Sequence, residues 1–203
     1  MEHCHGHAKL TPEVAEHRHA AYDIIPLILN RWSPRSFLPT EVPDEVLFRL
    51  FEAARWAPSA GNLQPWRYII ARQQADRERF YTFIYEGNRR WCEQAPVLAV
   101  ILAKKTNAQG EPNPAYAFDA GASWAYLALE AVRQGLVTHA MGGFDREIAR
   151  DVLAIPDDYD PLAVIAIGYR GERSALPADL QEREKPSSRL SLQEIVLEGR
   201  FTS

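Results

Sequence analysis

Cys4 and Cys92 are the only cysteines in 203 residues, and neither belongs to a C-x-x-C pair. That excludes a disulfide framework and a thiolate zinc site. Histidine is scarce where catalysis would need it, because His3, His5, His7, His17 and His19 crowd the beginning and only His139 lies beyond. A Ser-His-Asp or Cys-His enzyme would have to route everything through that residue. His139 reads more simply as a partly buried loop residue satisfied by backbone. No apolar run approaches the ~20 residues of a membrane helix, and the longest, PVLAVILA at 96–103, is the size of a strand. The beginning lacks the apolar core of a signal peptide. An excess of charge is missing as well: 23 basic against 27 acidic residues leave −4, with no long run of one sign. Polyanion binding over a broad surface is disfavoured. Phosphate-loop, G-x-G-x-x-G, G-x-S-x-G and H-E-x-x-H signatures are absent. A soluble protein of a reducing compartment follows, most simply the cytoplasm.

What is present suffices for one core: 46% of positions are apolar and 25% charged. The length suits a single domain rather than separate cofactor and substrate domains. Residues 1–19 read as a solvated His-rich tail and residues 20–203 as the domain. Imidazoles beside Cys4 have the chemistry of a transition-metal site, but the segment has no apolar periodicity to dock it, and no metal is assigned. Along the domain, 20–30 reads as a helix that must place Pro26 in its first turn or kink there. Residues 43–56 form a second helix, opened by Asp44 and Glu45. WRYIIAR at 66–72, PVLAVILA at 96–103 and AVIAIGY at 163–169 read as strands, the second apolar on both faces and therefore central. Residues 74–92 give one or two helices broken near Gly87. The longest periodic segment, 117–134, is apolar nearly all round and should be a buried central helix closed by Gly135; 145–153 is a short helix. These elements imply an α+β layered domain.

Polar chemistry gathers at the punctuation between elements. In RWSPR at 31–35, an extended backbone would send Arg31, Ser33 and Arg35 to one side, two permanent cations and a hydroxyl suited to phosphate or an electron-rich heterocycle. In APSAGNLQPW at 57–66, two prolines and a glycine order a loop carrying Ser59, Asn62 and Gln64, donors and acceptors for a polar ring edge. In MGGFD at 141–145, glycines let backbone N–H groups approach a ligand ahead of a helix. SSR at 187–189 is a further small anion-recognising patch.

In this order and spacing, RWSPRSF (31–37), APSAGNLQPWRY (57–68), DAGASWAYLALEAVRQGL (119–136), MGGFD (141–145) and LAIPDDYDPLAVIAIGY (153–169) resemble the nitroreductase family of FMN-dependent oxidoreductases. The resemblance covers the chain from about Tyr22 onward and leaves the His-rich tail unexplained. It implies a three-layer α-β-α sandwich with a central mixed sheet, and a homodimer whose interface holds the long buried helix and tightly bound FMN. Arg31, Ser33 and Arg35, with neighbouring Trp32, would contact the phosphate, ribityl chain and pyrimidine edge, and Arg189 would complete the phosphate site. Pro58, Ser59, Ala60 and Asn62 would come from the other subunit, with Gln64 nearby. Met141, Gly142 and Gly143 would lie along the ring near N5; family members often carry a bulkier or acidic residue at the position of Gly142. NAD(P)H would pass hydride to N5, leave, and be replaced by a nitroaromatic, quinone or similar electron-poor oxidant in a ping-pong cycle. No protein group is then required as the catalyst; Arg35 or Arg31 would have an electrostatic role toward reduced flavin. A reductive dehalogenase, a flavin-consuming enzyme and a non-catalytic flavin-binding or regulatory module stay open beside it.

Overall fold

The computed structural model describes residues 9–201. Five short or medium helices and the first two strands come first in the chain: α1 (Pro12–His17), α2 (Pro26–Asn30), α3 (Asp44–Arg55), then β1 (Trp66–Ala71), α4 (Gln74–Tyr81), α5 (Glu86–Cys92) and β2 (Val97–Lys104). The long helix α6 (Tyr116–Arg133) follows, then β3 (Val137–Met141), α7 (Arg146–Val152), β4 (Tyr159–Gly168), α8 (Ala178–Gln181) and α9 (Leu192–Ile195).

The sheet order is β1-β2-β4-β3. Strand β2 is central, and its alternate side chains feed two cores. Leu98, Val100 and Leu102 join Phe80, Trp91, Phe144 and Ala149 on the side covered by α4, α5 and α7. Val97, Ala99, Ile101 and Ala103 join Leu47, Leu50, Leu127 and Ala131 on the side covered by α3 and α6. This is the expected three-layer sandwich, with each fully buried Leu or Ile contributing about 1.5–3 kcal/mol of hydrophobic stabilisation.

The sheet differs from expectation in direction. Pairings β1 with β2, β2 with β4 and β3 with β4 are all antiparallel, so the sheet is not mixed among the described residues. Burial on both faces makes a strand continuously apolar whatever its direction, so the β2 pattern could not distinguish the two. His139, which reads as a loop residue in the sequence, lies in strand β3; VTHAM is short and places Thr138 and His139 where apolar alternation would be expected. Only Pro26–Asn30 of the helix expected over 20–30 forms, because the proline holds Ile25 extended at φ −56°, ψ 127°. The break within 74–92 falls at 82–85, ahead of Gly87, which lies inside α5.

Helix α6 packs on α3 through Ala120, Ser123, Leu127 and Ala131. Ser123 Oγ donates to Ala54 O at 3.0 Å and therefore accepts from Tyr68 Oη at 2.8 Å. Burial pushes the Tyr68 phenol up to about 12, so that hydroxyl keeps its proton. The helix is not buried all round in one chain: Phe118 is 81% and Tyr126 42% exposed, beside exposed Ala117, Gly121 and Ala125.

Residues 9–19 are not a solvated tail. The Val14 side chain is buried, and the Thr11 N–H donates to Asn30 Oδ1 at 3.0 Å while Asn30 Nδ2 donates to Lys9 O at 3.0 Å. The docking residues are single and far apart in sequence from their partners, which hides them from periodicity. His3, Cys4, His5 and His7 lie outside the described residues.

Candidate cofactor site

After α2 ends at Asn30, the chain runs extended. Trp32, Pro34 and Ser36 are buried, while Arg31, Ser33 and Arg35 are half-buried and line one cavity of about 320 Å³. The one-sided projection expected of RWSPR is thus realised.

What holds this segment is a residue the motif did not reveal. Glu184 is only 1% exposed, and its carboxylate accepts the Arg35 N–H at 2.9 Å, the Ser36 N–H at 3.0 Å and a contact from Ser36 Oγ at 2.8 Å. Arg170 approaches the same carboxylate to 3.6 Å, pairs with Glu13 at 3.0 Å, and lies 4.4 Å over the Trp32 ring. A buried charge is tolerable when its lone pairs are filled in this way.

The cavity's opposite wall comes from the chain after α8. Arg183, Lys185, Ser187 and Arg189 line it, while the intervening Glu184 and Pro186 are buried. This second alternation, with Glu184 at an inward position, is the sequence signal that could have found Glu184. Arg18, from the segment after α1, also reaches the cavity. None of these six cations, Arg18, Arg31, Arg35, Arg183, Lys185 and Arg189, enters an ion pair among the described residues. Arg31 donates to Ser33 Oγ at 3.3 Å, Arg189 donates to Ser187 Oγ at 3.0 Å and Ser188 O at 2.9 Å, and the Arg35 guanidinium makes no hydrogen bond among the described residues.

Such crowding has an electrostatic signature. Burial and then Arg189 lower the pKa of Arg31; burial, Arg189 and Arg31 bring that of Arg18 to about 10; burial and Arg183 lower that of Arg35, against the opposing pull of Glu184. All remain cations at neutral pH, and their mutual repulsion is relieved by a bound anion. Forked guanidinium donors beside hydroxyls match phosphate oxygens.

His139 sits on β3 at the cavity wall, its ring 4.5 Å from that of Trp91 and tilted by 37° to it. Its Nδ1 is 3.0 Å from Pro34 O, and since a carbonyl only accepts, Nδ1 carries the proton. Burial foremost, with Arg35 adding to it, brings its pKa from 6.5 down to about 4. Between those values the unfolded chain holds a proton that the folded chain refuses. The resulting stability is full above about 6.5 and is lost as pH falls toward 4. A nuclear magnetic resonance titration should find the His139 ring unprotonated at every pH above about 5; a midpoint near the unperturbed histidine value would contradict this.

The remaining expected site residues do not line the cavity. Residues 58–64 form an ordered, largely exposed loop in which Gly61, Asn62 and Gln64 take φ of 55°, 54° and 47°. Asp119 Oδ2 accepts the Ala60 N–H at 3.1 Å, Ser59 Oγ accepts the Gln64 N–H at 3.0 Å, and Gln64 Nε2 donates to Asn62 O at 3.1 Å. Pro58 is exposed beside them. Met141 is buried, Gly142 is exposed with open space where a Cβ would stand, and a Cβ on Gly143 would meet Asn88 Nδ2 at 2.5 Å. A side chain there would displace the Asn88 amide, and the Gly143 carbonyl accepts from the Tyr85 N–H at 3.1 Å and from Asn88 Nδ2 at 3.2 Å.

Comparison with known proteins decides the family. The nitroreductase family model matches residues 28–91 and 83–169, spanning all four strands of the sheet and the Arg31, Ser33 and Arg35 wall. The chain belongs to the nitroreductase family. It is an oxidoreductase of that fold. A solved structure described as an oxidoreductase containing FMN is 40% identical, with a TM-score of 0.87 over 91% of this chain and 96% of that one. An NADH dehydrogenase of Thermus thermophilus is 31% identical over 201 residues, 83% of this chain and 92% of its own length. An iodotyrosine deiodinase of Haliscomenobacter hydrossis is 23% identical over 77% of this chain and 82% of its own. No described helix of this nitroreductase-family chain is long and apolar enough to cross a membrane.

Proposed function

We propose that the arginine cavity holds the phosphate of FMN and that the chain is an FMN-dependent NAD(P)H oxidoreductase acting on nitroaromatics, quinones or similar electron-poor compounds. The observation that carries this is the cavity itself, six cations that form no ion pair among the described residues, a donor set that fits a phosphate monoester. The FMN named for the 40% identical structure and the NADH named for the Thermus relative support it.

In this reading Arg31, Ser33 and Arg189 bind the phosphate oxygens. Trp32 is the buried floor beneath the segment, clamped by Arg170. The Arg35 guanidinium, without a hydrogen bond among the described residues, offers fixed positive charge to an electron-rich heterocycle, stabilisation that needs no proton transfer. Neutral His139 adds no second ionisation at working pH. Bound there by Arg31, Ser33, Arg35 and Arg189, FMN would supply the two-electron redox chemistry of a ping-pong exchange between NAD(P)H and the acceptor.

The outward-facing loop at 58–64 and the open apolar face of α6 complete the reading. A homodimer would cover Phe118 and Tyr126 and bring Pro58, Ser59, Ala60, Asn62 and Gln64 to the partner's flavin, with Met141, Gly142 and Gly143 along its ring. Residues 20–203 then act as one FMN-binding domain, in a cytoplasmic protein. The likeness to iodotyrosine deiodinase favours reductive dehalogenation as a second reading, separable by a panel of nitroaromatic, quinone and haloaromatic acceptors. Anaerobic mixing of the flavin-loaded protein with NADH and with NADPH tests the proposal: rapid bleaching by either is expected, and a bound flavin that neither reduces would overturn it.

A further inference from the structure

Residues 9–19 lie outside the stretch matched by the family model, which begins at residue 28, yet they make bonds to both walls of the arginine cavity. Arg18 Nη1 donates to Leu29 O and to Arg31 O, each at 2.7 Å, and Arg18 Nε donates to Ser187 O at 3.0 Å. The first two carbonyls belong to the end of α2, where the last turn leaves acceptors without helical partners and where a cation is favoured by the helix dipole. The third belongs to the segment that carries Arg189. One guanidinium therefore joins the wall that presents Arg31 to the wall that presents Arg189.

The segment that delivers Arg18 is itself tied down. Val14 is 1% exposed, Thr11 and Lys9 are bonded to Asn30, and Glu13 holds Arg170 through two contacts at 3.0 and 3.2 Å. Arg18 is 8% exposed, placed against Arg31 and Arg189, and pairs with no carboxylate among the described residues. A buried cation beside other cations is a poor choice for stability alone. It becomes a good one where an anion binds between the walls it spaces.

We infer that residues 9–19 are a strap that assembles the phosphate subsite, with Arg18 a positioning residue that sets the distance between Arg31 and Arg189. The inference rests on the proposed flavin reading. Among the described residues neither Arg31 nor Arg189 has an ion pair to hold it at the required separation, so that separation is inherited from the backbone, and the backbone of both walls is bonded to Arg18.

The test uses the full chain stripped of flavin and titrated with FMN and with riboflavin, which has the same ring but no phosphate. Wild-type protein should bind FMN more tightly than riboflavin. Arg18→Gln should weaken FMN about tenfold or more, the scale of losing charge-assisted bonds, while riboflavin affinity stays unchanged. Arg18→Lys keeps the charge but cannot reach three carbonyls, and should fall between the two; it also serves if Arg18→Gln does not fold. Unchanged FMN affinity in both variants would overturn the strap, as would an equal loss of FMN and riboflavin, which would mark Arg18 as merely structural. A wild-type protein indifferent to the phosphate would instead overturn the flavin-phosphate reading on which the strap depends.

Discussion

Arg31→Ala is expected to raise the dissociation constant for FMN about ten- to hundredfold, the worth of one or two charge-assisted hydrogen bonds. Its effect on the flavin-free protein should have the opposite sign or none. Among the described residues Arg31 forms no ion pair and its one side-chain bond is a 3.3 Å contact to Ser33 Oγ, and it is repelled by Arg189. Removing it relieves that repulsion at the loss of little packing. Thermal unfolding of the apo protein should therefore be unchanged or slightly later, while flavin titration weakens. A ligand site that costs stability when empty behaves in this way. An Arg31→Ala protein that unfolds earlier and binds FMN normally would show that the residue serves the fold and not the cofactor.

Glu184→Ala is expected to be the more damaging change. The Arg35 and Ser36 N–H groups would lose their acceptor in a buried setting, and Arg170 would lose part of its compensation. Breaking a buried charge cluster from one side costs about 3–5 kcal/mol. Glu184→Gln keeps the shape and one acceptor oxygen and should cost about 1–3 kcal/mol, as for a lost bond to a charged group. Both variants add a net positive charge to an already cationic cavity, so flavin binding should suffer through misplacement of Arg35 rather than through charge. Urea unfolding measures the loss; a cost below about 1 kcal/mol for Glu184→Ala would show that the 31–36 segment is held by other contacts.

These two residues mark the boundary of what the sequence makes legible. Arg31, Ser33 and Arg35 can be read because their alternation is local and a proline forbids the helical alternative. The buried faces of β2, the helix at Asp44–Arg55 and the long α6 can be read because period and apolar run survive in a short window. Glu184 cannot be read so directly, since its partners are 148 and 149 residues away. Arg18 is 169 residues from Ser187. A single docking contact leaves no period, which is why residues 9–19 pass for a tail. Strand direction is hidden for a different reason, because helices covering both faces erase the polar alternation that would distinguish antiparallel pairing. The apolar girth of α6 is legible, but in one chain part of it stays open, at Phe118 and Tyr126.

The measurement that bears most directly on this account is a crystal structure of the protein grown with FMN. The phosphate should lie in the cavity between Arg31 and Arg189, with Ser33 in contact and Arg35 facing the heterocycle. The loop at Pro58 to Asn62 should arrive from a second copy seated on α6. Flavin bound away from the six cations, or held by one chain alone with the 58–64 loop in solvent, would contradict it.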